Sequence, residues 1–477
     1  MHMAAGRPLA AILHAAMDSP TISDGGRVFQ HALCVYPYRQ DLKKSRFVPP
    51  LGIEYIARVV APHARRLDVV DLRHAGGRTR DFLRPETDLI CFSINWGRNL
   101  DFVRREILSV PSSIFTVAGG RYATEDPERW LTDCPNLDAV VRGDGEETMA
   151  ELCATQSLAS IAGISFRNGN GLCHNPARKL GPVSDAIYPD RRRRRHVYHI
   201  AVRNVRTTVA FDAVSGSRGC PYNCKFCSFS RNPYGEKRSW SARSPESIVD
   251  ELAEIEAPFV GFTDEIFTHD AARVERICDL IIARGIRKKY VINARLEIAR
   301  HPQVLRKMEQ AGFAMLLLGI ESAQDKTLLS MRKGFDTARI REYMAVLRDR
   351  PMILHGYFIL GNIGESVAEM RQMVPFAHAL GLDTIVFSML RNTPYSAIEA
   401  LVAQTPGYRL APNGKVYSDQ CSLDDLKQLR RTLYRQFYNR RQALRFLSKA
   451  RRSGLLKLFV ARSPVSTLKF AGALLKS

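Results

Sequence analysis

The chain has 477 residues, 45% hydrophobic and 25% charged, the balance of a globular protein with room for two or three separate cores. No run of about 20 apolar residues appears, which argues against a membrane span. Its ten cysteines, spread over this length, exclude a small disulfide scaffold and fit a reducing compartment. Lysine and arginine outnumber aspartate and glutamate by 70 to 48, a net charge of +22. Much of that excess sits in "DRRRRRH" (190–196) and in the tail from 427 to 463. A solvated basic face is the default reading. Nucleic acid, an anionic membrane surface or an acidic substrate are the alternatives.

The first residues, "MHMAAGRPLAAILHAAMDSP", lack a long apolar core behind a basic region, so a cytoplasmic protein without a secretory leader is expected. From 28 to 155, short β-branched runs at 69–74, 87–94, 113–120 and 137–145 alternate with helical spacing at 51–64, 99–109 and 147–155. This alternation predicts a doubly wound, Rossmann-like α/β domain with ligands at the strand carboxyl ends. Gly119, Gly120, Gly143 and Gly145 stand at two of those ends. Residues 156–215 read as a connector that opens with a hairpin at 161–176 and continues through Pro- and Arg-rich chain.

Strand–helix units resume from 216 to 400. Strands are predicted at 259–265, 289–296, 314–322, 353–361 and 383–390, with helices at 245–255 and 270–285 among those between them. The pattern is that of a complete or partial (β/α) barrel whose site lies at the strand carboxyl ends. Residues 401–477 form the remainder, helical and basic from about 422.

Within "SGSRGCPYNCKFCSFS" (215–230), Cys220, Cys224 and Cys227 fall in a C-x3-C-x2-C spacing. A structural zinc wants four ligands, and neither a Cys nor a His nearby supplies an obvious fourth. A disulfide would leave one thiol over. A [4Fe–4S] cluster held by three thiolates keeps one iron open for another ligand, such as the amino and carboxylate groups of S-adenosylmethionine (SAM).

"SRGCPYNCKFC" resembles the cluster loop of the radical SAM superfamily. The resemblance implies a partial (β/α)6-type barrel, a [4Fe–4S] cluster on Cys220, Cys224 and Cys227, and Phe226 near the adenine of SAM. Further motifs carry the resemblance along the barrel. "FTDEIFTHD" implies Asp264 and Glu265 at the methionine amino group, "INARLE" implies Arg295 at the cofactor, and "LLLGIESAQDKTLLSMRKG" implies Glu321 and Ser322 near its ribose or carboxylate. "GYFILGNIGES" resembles the fifth-strand motif, with Ile363 where many relatives have proline.

"FVPPLGIEYIARVV", "VAGGRYATEDPERWL" and "DAVVRGDGEETMAEL" resemble the cobalamin-binding domain that precedes the barrel in one subclass, which includes class B methyltransferases and the anaerobic magnesium-protoporphyrin ester cyclase. That resemblance implies Gly119, Gly120, Arg121, Gly143 and Gly145 at a corrin. Arg121 stands where many relatives have histidine. Asp71 and His74 are one position too far apart for Asp-x-His-x-x-Gly, so His74 is expected in a loop rather than on cobalt.

The implied chemistry is cleavage of SAM to a 5′-deoxyadenosyl radical, with C-methylation of a natural product, lipid or tetrapyrrole as the leading outcome and oxidative or ring-forming chemistry second. A methylthiotransferase acting on RNA or protein would need a second cysteine triad in the N-terminal domain. Cys34 and Cys91 read as strand residues without a third partner. A plain iron–sulfur electron carrier would have no use for the SAM motifs. The partners implied are a small-molecule or lipid substrate and an external flavodoxin- or ferredoxin-type electron donor. Nucleic acid is not expected. The tail is expected to cap the barrel, with peripheral membrane contact as the alternative.

Overall fold

The computed structural model describes residues 28–39, 47–155, 157–169, 171–202, 205–232 and 234–468. The N-terminal stretch read for a leader, and the last nine residues of the tail, lie outside them. The chain divides into two compact units, Met1–Tyr198 and His199–Ser477.

The first unit is built on seven strands: β1 (Phe29–Tyr36), β2 (Ala64–Asp71), β3 (Thr87–Ser93), β4 (Phe115–Gly119), β5 (Ala139–Val141), β6 (Ile164–Asn168) and β7 (Gly171–His174). Their order is β2-β1-β3-β4-β5-β6-β7. The first five run parallel, and β6 and β7 extend the sheet antiparallel. The β1 sequence, FQHALCVY, is buried along nearly its whole length, as a central parallel strand covered on both faces must be. The predicted doubly wound sheet is present, and the hairpin at 161–176 is its antiparallel edge. The order 2-1-3-4-5 puts the topological switch point between β1 and β3, where open α/β sheets bind ligands.

The arginine run of 190–196 is consumed by this unit's own carboxylates. Arg192 and Arg193 pair with Asp190, Arg194 makes a largely buried bidentate bond to Glu54, and Arg195 reaches Asp68 at 3.2 Å. The run is therefore a clasp along the unit rather than a free cationic patch.

The second unit carries β8 (His199–Val202), β9 (Val205–Val214), a short ribbon of β10 (Ser217–Arg218) and β11 (Ser241–Ala242), then β12 (Phe259–Phe262), β13 (Lys289–Ala294), β14 (Phe313–Glu321), β15 (Ile353–Leu360), β16 (Thr384–Met389) and a second ribbon of β17 (Tyr408–Leu410) and β18 (Val416–Ser418). Six strands, β9 and β12 to β16, lie side by side in chain order and all parallel, with β8 antiparallel at one edge. Strands in simple succession, with β8 and β16 as unpaired edges, define an incomplete (β/α)6 barrel. Helices such as Pro245–Glu254, capped by Ser244, and Ala271–Ala283, capped by Asp270, bury one apolar face each against it.

The helical tail covers the β16 edge. On the helix Leu423–Phe437, Tyr434 Oη accepts the Phe387 N–H at 3.0 Å. Tyr438 Oη accepts the Ile385 N–H and donates to the Ile385 carbonyl, both at 3.0 Å. On the next helix, Arg440–Arg452, Gln442 donates to the Leu382 and Asp383 carbonyls, and Arg445 and Lys449 both pair with the buried Asp383. The tail thus satisfies backbone groups that an open sheet edge leaves unpaired. Among the described residues no helix is long and apolar enough to cross a membrane.

Candidate functional site

Most groups of the site in the second unit come from the carboxyl ends of its parallel strands. The cysteine loop leaves β9 and returns through the β10–β11 ribbon, which forms its neck. Asp264 fixes that neck: its buried carboxylate accepts the Gly216 N–H at 2.9 Å and the Ser217 hydroxyl at 2.5 Å. The Gly216 carbonyl accepts from Arg243 N–H and Arg273 Nη2. The tip is held by two main-chain bonds, Lys225 N–H to the Met331 carbonyl and Ala397 N–H to the Lys225 carbonyl, each at 3.0 Å.

Cys220, Cys224 and Cys227 are half-buried and free, and they line a cavity of about 580 Å³ with Phe226, Glu265, Arg295, Glu321 and Tyr357. The Phe229 N–H donates to the Cys227 sulfur at 3.4 Å, while burial pushes the Cys227 thiol up to about 11. Among the described residues no three His, Cys, Asp or Glu side chains close on a single ion.

Glu265 Oε2 is buried with no hydrogen-bond partner among the described residues, and burial pushes its carboxyl up to about 7. A buried acceptor left open on the cavity wall is a seat for a cationic or N–H donor. Glu321 has φ +71°, a left-handed backbone that costs a non-glycine residue roughly 1–3 kcal/mol and turns its carboxylate into the cavity. There it accepts from Lys333 Nζ at 2.7 Å. Gly319 makes room for this pair, since a Cβ there would lie 2.5 Å from Glu321 Oε1 and 2.6 Å from Lys333 Nζ. Arg295 stacks 3.6 Å from the Tyr222 ring centroid and binds Glu297 and the Lys333 carbonyl, which ties the cluster loop to the third strand end.

Phe226, Glu265, Arg295 and Glu321 therefore share one cavity with the three cysteines. Asp264 and Ser322 do not line it. Asp264 is spent on the loop neck. The Ser322 hydroxyl donates to Glu365, whose second oxygen accepts from Asn362, so Ser322 joins the ends of β14 and β15. Lys333 was not singled out by sequence reasoning, although it sits in the quoted fourth-strand stretch, because its pairing depends on the turn at Met331–Gly334.

Burial pushes the Glu365 carboxyl up to about 7 from an ordinary value of 4.5. A folded-state value above the unfolded one gives stability that is fully present below about pH 4.5 and lost as pH rises through 7. The span is worth about 3 kcal/mol. Thermal unfolding measured from pH 5 to 8 is expected to show that loss in wild type and a flatter profile in Glu365→Gln. A parallel slope in the two proteins would remove Glu365 as the cause.

In the first unit, the ends of β1, β3, β4 and β5 form one edge. Gly120 has φ +103°, and a Cβ there would meet Asn95 Oδ1 at 2.7 Å and the Ile94 carbonyl at 2.8 Å. The Arg121 N–H donates to Asn95 Oδ1, and its guanidinium pairs with Glu125. Gly143, at φ +83°, donates its N–H to Thr124 Oγ1, and Gly145 packs against Ile56 and Val141. Gly119 makes only ordinary contacts. The residue missed here is Trp96, half-exposed at the switch point, its indole N–H bonded to Tyr36 Oη and its main chain to Tyr38 Oη. A fixed aromatic face beside side-chain-free turns fits a flat macrocycle. His74 packs on His196 and Tyr198, with ring centroids 5.5 and 5.2 Å away, as expected of a loop residue. Cys34 and Cys91 face each other across β1 and β3, both buried in the core.

With that geometry in place, comparison with known proteins defines the class of the cysteine-bearing barrel: residues 214–377 match the family model described as the radical SAM superfamily. More particularly, the chain is similar to an uncharacterized methyltransferase of Pyrococcus horikoshii, 27% identical over 73% of this chain and 76% of that protein. It is also similar to the anaerobic magnesium-protoporphyrin IX monomethyl ester cyclase of Cereibacter sphaeroides, 26% identical over 62% of this chain, and spans half of that protein's length. Among solved structures, the radical SAM methyltransferase TsrM of Kitasatospora setae, with cobalamin and a [4Fe-4S] cluster bound, shares the fold at a TM-score of 0.65 and 16% identity, covering 80% of this chain and 77% of that one.

Proposed function

We propose that this chain is a cobalamin-dependent radical SAM C-methyltransferase acting on an unactivated carbon of a natural product, lipid or tetrapyrrole. The observation that carries the reading is the cavity shared by three free cysteines, the open Glu265 Oε2 and the Glu321–Lys333 pair. Cys220, Cys224 and Cys227 would hold the [4Fe–4S] cluster, which supplies the electron for reductive cleavage of SAM. Glu265 would receive the methionine amino group. The Glu321–Lys333 pair would order the polar part of the same cofactor, and Phe226 would pack on its adenine. Gly119, Gly120, Arg121, Gly143 and Gly145 form, with Trp96, the shelf assigned to cobalamin, whose role is to carry the methyl group. The chain's own contribution is positioning and the exclusion of water. A flavodoxin- or ferredoxin-type protein is the proposed electron source.

The similarity to the ester cyclase favours one second reading, an oxidative cyclase on the same scaffold. Anaerobic reconstitution with iron, sulfide, cobalamin, SAM and reductant separates the two. Methylation yields S-adenosylhomocysteine together with 5′-deoxyadenosine, whereas cyclisation or oxidation yields 5′-deoxyadenosine alone. Failure to form either product would sink both readings.

A further inference from the structure

From Leu426 to the C-terminus the sequence holds fourteen lysines and arginines and not one aspartate or glutamate. Such a segment must find its negative charge elsewhere. Part of it is found inside the second unit, where Arg445 and Lys449 share the buried Asp383. The rest is not. On the helix Arg440–Arg452, the exposed residues are Arg440, Arg441, Leu444, Ser448, Arg451 and Arg452. At 100° per residue they fall within an arc of about 120°, so the helix presents one continuous cationic face. Arg440, Arg441 and Arg451 have no carboxylate partner among the described residues, and Arg452 donates to the Asp349 carbonyl.

Exposed aliphatic side chains accompany these arginines in the tail. Leu444 is 62% exposed in the middle of the arginine face, and Val465 and Leu468 are 64% and 74% exposed beyond the last helix, Leu455–Arg462. Among the described residues, Tyr434, Phe437, Tyr438 and Phe459 face the other way. Phe437 is fully buried, Tyr434 and Tyr438 bond the β16 backbone, and Phe459 packs 6.5 Å from the Phe259 ring. This division chooses between two polyanions. Single-stranded nucleic acid is gripped by basic grooves with outward aromatic platforms for stacking. Arginines accompanied by exposed leucine and valine, with these aromatics turned inward, suit the headgroup region of an anionic bilayer, where the charges meet phosphates and the aliphatic groups enter the acyl boundary.

We infer that the face bearing Arg440, Arg441, Leu444 and Arg451 docks the enzyme peripherally on anionic lipid surfaces. The inference stands independently of the reaction catalysed. Deleting the tail would be a poor test, because the same helices supply Gln442, Lys449 and the edge-covering tyrosines. Point variants on exposed positions keep those contacts.

The full chain is floated with vesicles of phosphatidylcholine alone, or of phosphatidylcholine mixed with phosphatidylglycerol. Binding is expected on the mixed vesicles only, and it weakens as salt is raised. Each basic residue near a surface contributes about fivefold to partitioning, so the triple variant R440E/R441E/R451E is expected to lose at least about 100-fold. Leu444→Ser, which changes no charge, is expected to lose about tenfold. Equal flotation on neutral and mixed vesicles overturns the proposal, as does a triple variant that floats like wild type. A Leu444→Ser protein that binds as wild type, combined with displacement of the wild type from vesicles by RNA, overturns it in favour of nucleic acid. Thermal unfolding of both variants at the wild-type temperature shows that the readout is docking rather than folding.

Discussion

Cys224→Ala is expected to yield a folded protein that retains no iron–sulfur cluster after anaerobic reconstitution and forms neither 5′-deoxyadenosine nor S-adenosylhomocysteine. The expectation rests on where the sulfur sits. Cys224 is half-buried at the tip of a loop whose shape is held by main-chain bonds of Lys225 and by the Asp264-bound neck, none of which uses the thiol. Removing it deletes a ligand without deleting a core contact, so thermal unfolding of the apoprotein should be unchanged while bound iron falls from ~4 per chain to background. Cys34→Ser should behave in the opposite sense. Its thiol is fully buried between parallel strands, so a hydroxyl there destabilises the first unit by about 1–3 kcal/mol yet leaves iron content intact. Iron lost from Cys34→Ser, or kept by Cys224→Ala, would reverse the assignment and revive a second cluster in the first unit.

The strands at the centre of both sheets were legible because their chemistry is one-dimensional. TDLICFS is buried on nearly every position and FAMLLLGIE on one whole face, and their apolar content states this directly. The cysteine spacing was legible for a related reason, since its three ligands lie within eight positions. The errors fall where a side chain's partner is far away in sequence. Asp264 and Glu265 are adjacent acids at a strand end, and nothing local says that the first turns inward to bond Gly216 while the second faces the cavity. Ser322 carries a donor that either SAM or Glu365 can accept, and its partner lies 43 residues away. Lys333 reaches Glu321 only because Gly319 leaves the space. The arginine run at 190–196 misled in the other direction, since its local charge is high but Glu54 and Asp68 reach it from more than a hundred residues away.

The second large effect is expected far from any cofactor atom, at Glu251. Arg243 and Glu251 are fully buried and bonded to each other, and Arg243 also donates to Ser247 Oγ and the Ser247 carbonyl. Breaking such a pair on one side strands a guanidinium in the core, which costs about 3–5 kcal/mol. At about 2–4 °C per kcal/mol for a unit of this size, Glu251→Ala should lower the unfolding temperature by roughly 10 °C. Glu246, exposed on the same helix and paired with Arg276 of the next one, provides the control: Glu246→Ala should leave the unfolding temperature nearly unchanged, because solvent already screens the pair. The buried pair also reaches the chemistry. The Arg243 main chain donates to the Gly216 carbonyl, beside the carboxylate of Asp264 that shapes the neck of the cysteine loop. Loosening Arg243 should therefore release iron faster from the reconstituted protein at temperatures where the fold is intact, an effect the Glu246 variant should not share. The double replacement Arg243→Met with Glu251→Leu removes the stranded charge and should recover much of the lost stability. Iron retention should stay impaired, because the guanidinium bonds to Ser247 that hold the Arg243 main chain against the Gly216 carbonyl are gone. If iron retention returned together with stability, the pair would be acting through the core alone and not through the loop.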